Sequence, residues 1–125
     1  MDLNAVKQLK NVFSSMTIEK DKIIYEEGEP VRDGYILLLG KEQLFKNTIN
    51  GKLAEKQTIN YMQIFGVWNS ILGNNIRLFT AKALEKSSAL IPPKATLDKK
   101  LSTLDPFLRL LFRQALTNCE NFCSL

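Results

Sequence analysis

Apolar residues at Leu3, Val6, Leu9 and Phe13 are spaced three to four apart, which predicts a short amphipathic helix over residues 2–14. Beyond residue 20 the pattern changes from helical to extended. KIIYEEGEP, with Tyr25, Gly28 and Pro30, reads as a strand running into a turn. A buried strand follows at Tyr35 to Leu39, then a turn at Gly40-Lys41 and a further strand. Asn50-Gly51 lies between two extended runs and predicts a hairpin in which both turn positions take positive φ. LAEKQTI is the return strand. Residues 78–84 alternate, and residues 87–91 lead to Pro92-Pro93, which is expected to end the sheet. Short strands with turn signals between them predict an antiparallel sandwich or barrel.

The tail is helical in pattern. KATLDKKLSTL predicts one short helix. Asp105-Pro106 starts another, since Asp caps a helix and Pro is tolerated at its first position. Leu108, Leu111, Phe112, Ala115, Cys119 and Phe122 form an apolar stripe on that last helix, widened by Phe107 and Leu110. A stripe this wide packs either on the barrel or against another subunit. Leu108, Leu111, Phe112, Ala115 and Cys119 are therefore candidate interface residues, for a homodimer or for a protein partner not yet identified. The fold class expected is mainly β with flanking α: one domain over residues 1–125, with an N-terminal helix region at 1–20, strands over 21–93 and C-terminal helices over 94–125.

Composition narrows the function. A length of 125 residues suits one core, and 45% hydrophobic with 24% charged residues is ordinary for a globular chain. The absence of histidine removes Ser-His and Cys-His nucleophile pairs and histidine metal sites. Cys119 and Cys123, one helical turn apart, read as small apolar residues rather than as a zinc site or a disulfide. No paired-acid or triphosphate-binding motif is present, so a non-enzyme without cofactor or metal is expected. The net charge of +4 comes from scattered lysines, which argues against nucleic acid as a partner. No apolar run approaches the roughly 20 residues of a membrane span, and the N-terminus has no cleavable signal pattern. The expected location is the cytoplasm.

One loop stands out. FGVWNSILGNNIR, residues 65–77, opens on an aromatic and a glycine and closes on Arg77. Either Arg77 receives an anion, or it is a solvated strand-end charge or the partner of a nearby carboxylate. Asn69, Ser70, Asn74 and Asn75 could supply hydrogen bonds or simply make a turn.

IIYEEGEPVRDGYILLLGKEQLF resembles the entry strands of cyclic nucleotide-binding domains, with Gly28, Glu29, Asp33, Tyr35, Ile36 and Gly40 at the family's turn and strand positions. The Asn50-Gly51 hairpin and the Phe65-Gly66 pair follow in the family's order, and RLFTAKALEKSSALIPPKATLDKKLSTLDPFLRLLFRQAL is similar to the C-terminal part of bacterial single-domain members, of the Crp/Fnr type. The resemblance implies an antiparallel β-roll, jelly-roll-like, with an N-terminal helix and C-terminal helices. It implies a ligand loop in which N–H groups and an arginine hold a phosphate, and it places Arg77 at that arginine. It makes Phe65, Gly66, Val67, Trp68, Asn69, Ser70, Arg77 and Leu78 the candidate ligand-binding residues. The family's ribose-binding glutamate is Val67 here, and Trp68 and Asn69 stand where small residues are expected. The function implied is a non-catalytic regulatory module with a degenerate phosphate-binding loop, acting through protein contacts. The alternative is a sensor of a cyclic nucleotide or another small anion through Arg77. The family's transcription factors continue into a helix-turn-helix, for which this chain leaves no room, so output is expected to pass through a partner or self-association.

Overall fold

A computed structural model describes the backbone over residues 3–67 and 75–124, and the side chains over 4–67 and 75–115. Helix α1 (Leu3–Val12) leads into eight strands: β1 (Ser14–Ile18), β2 (Ile23–Tyr25), β3 (Tyr35–Leu39), β4 (Glu42–Asn47), β5 (Leu53–Ile59), β6 (Ile64–Phe65), β7 (Thr80–Ala83) and β8 (Ser87–Ile91). Helices α2 (Lys94–Ser102) and α3 (Pro106–Ser124) close the chain. The strands form two antiparallel four-stranded sheets, ordered β1-β8-β3-β6 and β2-β7-β4-β5. The expected β-roll with helices at both ends is what the chain forms.

The pleat explains the core. Leu37 lies opposite Ala89, and Tyr35 opposite Phe65. In the second sheet Leu44 and Tyr25 both lie opposite Ala81. All of these point inward and are buried, together with Ile18, Ile59 and Ala83. The intervening residues of the first sheet, Ile36, Ile64 and Leu90, share its outer face. That face carries apolar residues too, because α1 and α2 lie over it; Val6 of α1 is buried.

Two local expectations change, and one strand is new. Residues 14–18, expected within the N-terminal helix region, form β1 instead. SSMTI has only Ile18 fully buried, so its apolar signal is faint, and backbone pairing of Ser14 to Ile91 through Ile18 to Ser87 holds it. The two-residue strand β6 is too short to show periodicity. At the β4–β5 hairpin only Gly51 takes positive φ (76°), and Asn50 does not. Thr48 and Lys52 close the turn, with the Thr48 amide donating to the Lys52 carbonyl at 2.9 Å and the Gly51 amide donating to the Thr48 carbonyl at 3.0 Å. The turn is thus a three-residue loop, Ile49 to Gly51, that ends on one left-handed glycine.

Helix α3 begins as expected: the Asp105 carboxylate accepts from the Phe107 amide at 2.8 Å. The helix touches β5, but its apolar stripe stays largely exposed over the described side chains. Leu108, Leu111, Phe112 and Ala115 are exposed, as are Phe107 and Leu110. Cys119 and Phe122 lie outside the described side chains. No helix of the described residues is long and apolar enough to cross a membrane.

Candidate functional site

Arg77 enters the roll's interior from the segment that precedes β7. Its backbone is pinned to the β2–β3 loop: the Arg77 amide donates to the Glu29 carbonyl (2.8 Å), and the Gly28 amide donates to the Arg77 carbonyl (2.9 Å). The side chain is 3% exposed. Its Nη1 donates to the Gly66 carbonyl at 2.6 Å, and its Nη2 to the Asp33 carbonyl at 2.5 Å. The guanidinium carbon sits 4.0 Å from the centroid of the Tyr25 ring. Arg77 forms no ion pair with a described carboxylate. It is therefore not a solvated strand-end charge, and no described acid is its partner; these were the two bland alternatives open from sequence. Two carbonyl dipoles and an aromatic face hold a full positive charge in a nearly dry place.

The neighbours explain the cradle. Gly66 has φ +76°, and a Cβ there would stand 2.9 Å from Arg77 Nη1 and 3.3 Å from the rings of Tyr25 and Tyr35. Only glycine lets its own carbonyl approach the guanidinium this way. Phe65 is fully buried and stacks on Tyr35, with ring centroids 5.2 Å apart; Tyr25 and Tyr35 stack at 6.0 Å. Phe65 is thus a core residue that sets the floor of the cradle. Burial pushes the Tyr25 and Tyr35 hydroxyls above their ordinary pKa, with the Arg77 charge opposing, so both phenols stay neutral.

Val67 is buried, but its side chain joins the outer face. The left-handed Gly66 breaks the strand alternation, and Val67 Cγ1 comes within 2.5 Å of where a Gly34 Cβ would be. It lines a groove with Leu97 and Pro92. Leu78 contributes its carbonyl to Lys46 Nζ (2.9 Å), which also lies 3.8 Å from Glu27 and over the Phe79 ring. Trp68, Asn69 and Ser70 lie outside the described residues.

Sequence reasoning passed over Tyr25 and Glu42. Tyr25 was legible as inward-facing, but nothing in the sequence placed Arg77 upon it. Glu42 is two residues before inward-facing Leu44, opposite Ala83 and Ile59, and is fully buried. Neither of its carboxyl oxygens has a hydrogen-bond partner among the described residues. Burial raises its pKa to about 7, tempered by the nearby Ser87 hydroxyl. That hydroxyl donates instead to the Glu85 carbonyl at 2.8 Å, which leaves the carboxyl unpartnered. Among the described residues no cluster of side chains suits a metal ion.

The sequence matches the family described as cyclic nucleotide-binding domain over residues 15–103. No curated protein sequence matches it. Among solved structures, the chain is similar to an EAL enzyme in its cAMP-bound form (25% identity, TM-score 0.78) and in its cGMP-bound form (27%, 0.79). It covers 89% of its own length in both, but only 30% and 29% of theirs. It is also similar to a transcriptional regulator from Thermotoga maritima (25%, TM-score 0.72), over 99% of this chain and 93% of that one.

Proposed function

The chain belongs to the cyclic nucleotide-binding domain family, and we propose that it is a non-catalytic regulatory module that takes a small phosphate-bearing anion, a cyclic nucleotide foremost, at Arg77. The observation that carries this reading is the state of Arg77: buried, oriented by the Gly66 and Asp33 carbonyls and the Tyr25 face, and without a carboxylate to neutralise it. Two of the five guanidinium N–H groups serve those carbonyls. The others and the net charge have no partner among the described residues, and we assign them to an anion. The cAMP- and cGMP-bound forms of the EAL enzyme support the ligand class.

The ribose is recognised less well than the phosphate. Val67 offers no acceptor for a ribose hydroxyl and faces the outer groove. A hydroxyl left unpaired costs about 1–3 kcal/mol, or roughly one to two decades of affinity. Such a loop is degenerate in sugar recognition while it keeps its phosphate anchor. The exposed apolar stripe of α3 supports an output through protein contact, either with a second copy or with another protein.

Equilibrium dialysis against cyclic AMP and cyclic GMP tests the reading. Saturable retention of either nucleotide, weakened by competing inorganic phosphate, is expected. No retention of either at millimolar concentration would remove nucleotides as ligands.

A further inference from the structure

Outside the roll, α1, the outer face of β3 and β6, and α2 enclose an apolar groove of about 580 Å³. Val12 and Phe13 form one wall and Leu97 the other, with Ile64 and Val67 as floor. Val12 and Ile64 are exposed to solvent there, at 69% and 42%. An open groove of this size has room for a small apolar ligand. Among the described residues one charged side chain lines it, Lys100 of α2, and no acid does. Lys100 forms no ion pair with a described residue.

An apolar trough with a single cation at its rim complements a ligand with one anionic head and an alkyl tail. We propose that this groove binds a medium-chain monocarboxylate, its chain between α1 and α2 and its carboxylate at Lys100. Apolar contact supplies most of the affinity, and the ion pair sets the orientation. The site stands on its own residues and does not depend on what Arg77 binds. Val67 joins the two places, since it follows Gly66, whose carbonyl holds Arg77.

The test is a calorimetric titration of the full chain with octanoate, decanoate and dodecanoate below their micelle concentrations, and with decanol. Affinity is expected to rise about fourfold per added methylene. Lys100→Gln should weaken decanoate about three- to fivefold and leave decanol unchanged. Val12→Glu changes an exposed position and should abolish binding while the thermal midpoint is kept. No heat at millimolar ligand, affinity independent of chain length, or both variants binding like wild type would each overturn the proposal. So would a dimer by light scattering that Val12→Glu dissociates, since the groove would then hold a second copy.

Discussion

Replacing Glu42 by Gln should change how stability depends on pH. The carboxyl is fully buried and unpartnered, and burial raises its pKa from 4.5 to about 7. Among the influences that raise the Tyr25 hydroxyl is the charge of Glu42 itself, and that phenol stays neutral. The folded protein therefore holds a proton on Glu42 that the unfolded chain has lost between these two values. Its contribution is fully present below pH 4.5 and is lost as pH rises through about 7. The whole change is at most about 3 kcal/mol, reduced by whatever solvent screening reaches the carboxyl. Between pH 5 and 8 most of it, about 2–3 kcal/mol, should be read out, or about 10 °C in thermal midpoint for a chain of this size. Gln is neutral at every pH and nearly the same shape. Urea denaturation of both proteins over that range should show the wild type losing ground steadily to Glu42→Gln. The difference between the two cancels every other titrating group. A difference that stays flat from pH 5 to 8 would mean that the carboxyl is solvated or ion-paired, and the reasoning would fail.

Other substitutions test the remaining links. Gly66→Ala brings a Cβ to 2.9 Å from Arg77 Nη1 at a φ of +76°, so it should cost about 1–3 kcal/mol by urea denaturation and displace the guanidinium. Asp105→Ala removes the carboxylate that caps α3 and should lower helicity by circular dichroism, with a loss of about 1 kcal/mol. Phe112→Glu, at an exposed position of the α3 stripe, should convert a dimer to a monomer by light scattering without lowering the thermal midpoint; a midpoint that falls by several degrees would place Phe112 in the core instead.

The roll was legible where the apolar pattern was strong. Tyr35 to Leu37 alternate across two covered faces, although Leu39 at the end of the expected buried strand is exposed, and the Asp105-Pro106 start of α3 follows from capping chemistry alone. β1 was hidden because backbone pairing holds it while its side chains are mostly polar. Asn-Gly suggested two left-handed residues, but the extra loop residue lets Gly51 carry the reversal by itself. At the site, the sequence could place Arg77 at the end of a loop but not inside the roll. Its burial depends on the distant Asp33 carbonyl and Tyr25 ring, which no local spacing encodes. Val67 moved to the outer face because Gly66 breaks the alternation. Glu42 was an inward position by simple alternation with Leu44, and its missing partner is a tertiary fact.

The central claim is that Arg77 anchors an anion. Its most direct test is a calorimetric titration with cyclic AMP of the wild type beside Arg77→Lys, which keeps the charge but loses the planar fork. The account predicts one saturable site in the wild type and an affinity at least about tenfold lower in the variant, a difference of roughly 1.4 kcal/mol. Equal affinity in both proteins, or no binding in the wild type at millimolar nucleotide, would contradict it.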